Sequence, residues 1–149
     1  MNVIVIKCAD GSVQIMQLIE AKDATAEVEK WKLSGDNASK YVSHREMPIE
    51  AIPTDRAFRN AWSDVTPELS IDVDMIKARD IQRDRIRAIR KPLLESLDVK
   101  SIQALESGDA ATVASVVAQK KTLRDLPTDP RIDAAQTLRD LKAILPGQP

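Results

Sequence analysis

The sequence predicts an α+β protein: a small N-terminal ββαβ unit followed by a mainly α-helical region with one long, arginine-striped helix. Three observations carry this. Two apolar, β-branched runs flank Asp10-Gly11 near the N-terminus. Beyond residue 74, apolar residues recur at helical spacing. Pro48 and Pro53 bracket a six-residue stretch between the two patterns. The predicted organisation is a head over 1–47, a connector over 48–53 and a helical region over 54–149.

In the head, Val3, Ile4, Val5 and Ile6 form the first strand. Asp10-Gly11 suits the positive φ angles of a two-residue hairpin loop. Val13, Ile15, Met16 and Leu18 make the return strand. Asp23 is placed to cap a helix with Ala24, Val28 and Trp31 on one face, and Gly35 to stop it. Tyr41 to Glu46 is the third strand, and Pro48 closes the unit.

Two prolines five residues apart disfavour a regular element, which marks 48–53 as the boundary. Thr54 can cap a short helix over 55–62 in which Phe58 and Trp62 share a face at i and i+4. Leu69, Ile71 and Val73 alternate as a short strand, and Asp74 is placed to cap the longest helix. There Met75, Ala78, Ile86, Ile89, Leu93 and Leu97 form a stripe, with Gln82 in its one polar gap. Pro92 predicts a kink or a joint near 88–91. A helix over 100–107 ends at Gly108. Asp109 caps another over 110–124, with Val113, Val116, Val117 and Leu123 facing inward. Thr137 and Asp140 have capping-box spacing ahead of Leu138, Leu141, Ile144 and Leu145.

Composition narrows the function classes. Of 149 residues, 43% are apolar and 30% charged, as in a globular protein. Net charge is −1, so no global field draws the chain to nucleic acid or anionic lipid. Cys8 stands alone, which excludes an internal disulfide. No apolar run is long enough to span a bilayer, and Met1 to Cys8 lacks the basic and apolar regions of a signal peptide. The expectation is synthesis in the cytoplasm without export.

Catalytic groups are scarce. The one histidine, His44, lies in a predicted strand beside Ser43, and adjacent strand side chains point to opposite faces. It is expected to face solvent. One His and one Cys cannot build a tetrahedral metal site. Four glycines, none clustered, form no phosphate loop. The expectation is a protein that is not an enzyme and holds no metal or cofactor.

Candidate contact residues are more numerous. Between Lys77 and Lys91 stand seven basic and two acidic residues, and Arg79, Arg83, Arg87 and Arg90 form one stripe. Three readings fit the stripe. It is a solvated face laced by Asp80–Arg83 and Asp84–Arg87 pairs, a site for an acidic protein partner, or a contact to phosphate backbone. Without interleaved aromatics, nucleic acid is the least favoured. Phe58 and Trp62 are either core between head and tail or an exposed anchor for another subunit.

The residues also carry a resemblance. Thr54-Asp55-Arg56-Ala57-Phe58-Arg59-Asn60-Ala61-Trp62 resembles a DRxFRxAW motif of small phage and prophage proteins. So does Val73-Asp74-Met75-Ile76-Lys77-Ala78-Arg79-Asp80-Ile81 with its Arg-rich continuation. Pro92-Leu93-Leu94, Leu97-Asp98 and Lys120-Lys121-Thr122-Leu123-Arg124-Asp125-Leu126-Pro127 are similar to the C-terminal part of phage tail assembly chaperones and tail-fibre assembly proteins. The chain departs from the chaperone pattern at Gln119 and Lys120, where an aromatic is usual, and at Leu145, where a tryptophan is usual. The resemblance implies a virion protein of the tail or its fibres. Its expected partners are other phage structural proteins or itself, in an oligomer or larger assembly, with Phe58, Trp62, Arg79, Arg83, Arg87 and Arg90 as contacts. An assembly chaperone absent from the mature particle is the alternative, and a small DNA-associated regulator the second.

Overall fold

The computed structural model describes residues 1–18, 23–65 and 70–146. Its class is the expected one, an N-terminal antiparallel sheet followed by a mainly helical region with one long helix. Strand β1, Asn2–Cys8, lies between β2, Val13–Gln17, and β3, Tyr41–Pro48, and pairs antiparallel with both. The hairpin loop is one residue longer than expected. Cys8 N–H donates to Ser12 O (2.9 Å), Gly11 N–H donates to Cys8 O (2.9 Å), and Gly11 takes a φ of 76°. Three residues with glycine in the left-handed position make a turn followed by a bulge, so only one positive-φ residue is required.

The unbroken apolar run of β1 has a simple cause: both faces of this central strand are covered. Ile4 and Ile6 pack with Ala24 and Val28 of helix α1, Ala24–Lys32, and with half-buried Trp31 and Tyr41. Asp23 caps α1 by accepting from Thr25 N–H (2.9 Å), and Gly35 follows its end with a φ of 59°. A one-turn helix, α2, Asn37–Lys40, leads into β3.

Val3 and Val5 point the other way and are buried with Met47, Ile52, Trp62 and Ile71. The expected connector at 48–53 is therefore not a linker. It forms a 3-10 turn, Ile49–Ala51, whose Ile49 N–H donates to Met1 O (3.0 Å), and it seats Ile52 in the core. The chain divides instead into units Met1–Asp74 and Met75–Pro149, because the segment after the prolines covers the sheet.

Two further expectations change in this segment. Residues Arg56–Ala61 are a 3-10 element capped by Asp55, not Thr54, and Phe58 leaves helical geometry at φ −113°. Trp62 opens strand β4, Trp62–Ser63, which pairs with β5, Asp72–Val73. Phe58 and Trp62 thus share no helical face. Leu69, expected in the second of these strands, lies outside the described residues.

In the second unit, α3 runs unbroken from Met75 to Glu106 with Pro92 inside it, so the separate helix expected over 100–107 is its last part. Proline removes one ladder donor, and the docking of helix α4, Ala110–Asp125, along α3 supports the turns on either side. Gly108 ends α3 as expected, at φ 71°. Gly108 N–H donates to Leu105 O (3.2 Å) and Asp109 N–H to Ala104 O (2.9 Å), a Schellman closure. Asp109 then caps α4, accepting from Thr112 N–H (3.0 Å) and Oγ1 (2.6 Å). A 3-10 turn, Leu126–Thr128, leads to α5, Pro130–Ala134, and α6, Leu138–Ala143, all packed on α3. The expected Thr137–Asp140 cap forms, with Asp140 N–H donating to Thr137 Oγ1 (3.2 Å). Leu141 and Ile144 are buried.

Candidate interaction surface

The arginine stripe lies on the first half of α3, and it is occupied by the protein's own C-terminal segments. Arg79 Nη2 donates to Ala135 O (3.0 Å), just past α5. Arg83 is held between Asp80 (2.9 Å), one turn before it, and Asp133 of α5; its hydrogen bond to Asp133, and then that to Asp80, raises its proton affinity above the ordinary guanidinium value. Arg90 Nη1 donates to Arg124 O (2.8 Å) and Leu123 O (3.3 Å), the carbonyls at the C-terminal end of α4, where a cation is favoured. Between them, Gln82 is fully buried and donates to Ile144 O (2.8 Å).

This changes the standing of four site residues. Arg79, Arg83 and Arg90 act as internal fasteners for α4, α5 and the residue just past α5, not as a free basic surface. Arg87 is the outlying member: it is half-exposed and pairs with Asp84 (2.7 Å) one turn away, as its spacing foretold. The solvated-face reading names acidic partners one turn away on the same helix. The observed ones lie within the second unit, and several are carbonyl oxygens that no charge count reveals.

Phe58 and Trp62 are also corrected as contact residues. Both are buried, at 0% and 3% exposure, which excludes the exposed-anchor reading. Trp62 packs with Val3, Val5, Met47, Ile52 and Ile71.

Exposed large apolar residues occur at several places, Leu33, Val42 and Ile76 among them, and a group of them falls on the distal half of the α3–α4 hairpin. From Arg90 to Glu106, the only residues of α3 that are not exposed are Arg90, Leu94, Leu97, Ser101 and Ala104. Their spacing of four and three is that of a coiled-coil seam. On α4 the matching set is Thr112, Val113, Val116, Lys120 and Leu123. Lys120 reaches across to Asp98 (2.7 Å) and sets the two helices level with each other.

One seam per helix does not use all the apolar residues. The row one position further on, about 100° around each helix, holds Ile102 and Leu105 on α3 and Val117 on α4, with Val113 at the edge between seam and row. Ile102, Leu105 and Val117 are 58%, 63% and 58% exposed. Leu105 and Val113 also line one shallow groove with Ala104 and Ala110 at the hairpin tip. The expected inward placement of Val117 is therefore corrected, as is that of Ile89 and Leu93, both 40% exposed. The stripe from Met75 stays with the core only as far as Ile86, because the seam with α4 follows a different phase.

Chemistry-bearing side chains are few on this frame. His44 is half-buried and not solvent-facing: its Nδ1 lies 2.8 Å from Tyr41 Oη, and the Lys32 ammonium sits 3.8 Å from the Tyr41 ring centre. Cys8 is buried. Among the described residues, the most desolvated ion pair joins Arg45 to Asp64 through Nη2 (2.8 Å) and Nε (3.2 Å), and sequence spacing gave no sign of it. Among the described residues, no group of three or more His, Cys, Asp or Glu is placed to hold a metal ion, and no helix is long and apolar enough to cross a membrane. The chain matches no protein-family model, no curated protein and no solved structure.

Proposed function

We propose that this chain is a non-enzymatic bacteriophage protein that works by protein–protein contact, as a component of the tail or its fibres. The observation that carries the contact reading is the distal α3–α4 hairpin, where exposed Ile102, Leu105 and Val117 fall on neighbouring rows of two packed helices. Contiguous exposed apolar surface rimmed by charge is characteristic of interaction sites. The phage assignment rests on the sequence resemblance over the DRxFRxAW segment, the start of α3 and the C-terminal part of α4. On this reading the protein is made in the host cytoplasm, needs no cofactor, and ends in the virion beside other structural proteins or copies of itself.

The test is mass spectrometry of purified particles from a phage encoding this chain, together with deletion of its gene. Recovery in the particle at a fixed copy number supports the structural reading. Absence from particles, with assembly lost on deletion, overturns it in favour of the chaperone. Assembly unaffected by deletion overturns both.

A further inference from the structure

The charges that flank the apolar patch at the level of the Lys121–Arg124 turn differ between the helices. Beside Ile102 and Leu105, the exposed row of α3 holds Glu95, with Asp98 already paired to Lys120 and Lys91 beyond the level of Arg124. Beside Val117, the exposed row of α4 holds Lys121 and Arg124. The Asp98–Lys120 bridge fixes the levels: Glu95 lies level with the Lys121–Arg124 turn, Ile102 with Val117, and Leu105 with Val113.

From this difference we infer that the face docks a second copy of the same chain, related by a two-fold axis parallel to the hairpin. This names the occupant of the contact surface proposed above and rests on that reading only in taking the hairpin as the contact. Such a rotation keeps every residue at its level and places α3 of each copy over α4 of the other. Glu95 then faces the second copy's Lys121 and Arg124, Ile102 faces Val117, and Leu105 faces Val113, each contact occurring twice as an isologous interface demands. Stacking with the hairpins reversed would lay the charged end of each face on the apolar tip of the other. Four helices joined through 3,4-spaced rows make a bundle of ordinary geometry. Two helices about 10 Å wide, in contact over about 15 residues, present roughly 20 by 22 Å. That is a small interface, so the dimer is weak, with a dissociation constant on the order of 1–100 μM.

Sedimentation equilibrium of the full chain, from about 1 μM to 500 μM, tests this. A species of twice the 16.5 kDa chain mass is expected to grow in with concentration. Joint substitution I102E and V117E should weaken the dimer more than tenfold while far-ultraviolet dichroism stays unchanged. E95K or R124E alone should each weaken it several-fold, and the two combined should restore it, because the exchanged charges meet across the axis. A monomer throughout the range overturns the inference. So does a dimer indifferent to I102E and V117E, or a combined variant no tighter than either single change. A monomer whose entry into particles is lost on I102E also overturns it and leaves another virion protein as the occupant. A dimer that follows these rules in a chain absent from particles leaves this inference standing and removes the structural-component proposal.

Discussion

The two halves of α3 use their residues in opposite ways. From Met75 to Arg90 the helix is densely charged, yet it is the half most enclosed by the protein: Ala78, Gln82 and Ile86 are buried, and Arg79, Arg83 and Arg90 grip the chain's own carbonyls and carboxylates. From Lys91 to Glu106 charges are fewer, yet Val99, Ile102 and Leu105 stand in solvent. Charge density in a helix therefore does not mark its outward part. An arginine is long enough to bury its stem while its head finds oxygen atoms on neighbouring segments, and helix ends supply such atoms in groups of four.

The largest test of this contrast is I86A. Removing a fully buried side chain from the enclosed half should cost about 3 kcal/mol, seen as a lower midpoint in urea denaturation followed by helical dichroism. I102A, measured where the chain is dilute, should fall within about 0.5 kcal/mol of the parent, as an exposed position does. Equal losses would break the comparison.

R90A comes next, at about 1.5 kcal/mol, since it deprives the last carbonyls of α4 of a charged donor. A substantial part of that loss should return in R90K, which keeps one donor and the charge.

Acid sharpens the comparison from the other end of the hairpin. Thr112, through its hydroxyl and then its backbone N–H, holds the Asp109 carboxyl below its ordinary value of 3.8. A carboxyl lowered on folding contributes stability in full above the unfolded value, and that contribution disappears as pH falls through the lower, folded one. Titration below pH 4 should therefore loosen the hairpin tip, seen as faster amide exchange around Gly108 to Thr112. The D109A variant should show faster exchange there at neutral pH, without the acid-dependent step. The smallest effect belongs to R87A. Its pair with Asp84 is exposed on both sides, and the midpoint should move by less than about 0.5 kcal/mol.

Local signals in the sequence were read well. Asp23, Asp109 and Thr137 were placed as caps and act as caps, and Gly35 and Gly108 stop their helices. Each depends on a hydrogen bond or a backbone angle within a few residues. What sequence spacing missed is non-local. Pro48 and Pro53 look like a boundary because they break regular structure, but Ile52 between them is needed to cover Val3 and Val5. The arginine stripe is legible in the sequence and its role is not, because Ala135 O lies 56 residues from Arg79 and Arg124 O 34 residues from Arg90, and both are backbone atoms. The apolar face was missed for another reason. Ile102, Leu105 and Val117 look like core in any one-helix periodicity, and only the phase of the α3–α4 seam shows that they lie beside it.

The two-sided burial of β1 also sets the order in which the first unit can be completed during synthesis. The first 47 residues contain β1, β2, α1 and all but the last residue of β3, so one side of the sheet can close as soon as they leave the ribosome. The other side waits for Trp62 and Ile71. A nascent chain halted between those points carries Val3 and Val5 uncovered. It should be the species on which holding factors and proteases act, and a fragment ending at residue 47 should aggregate where one ending at residue 74 stays soluble.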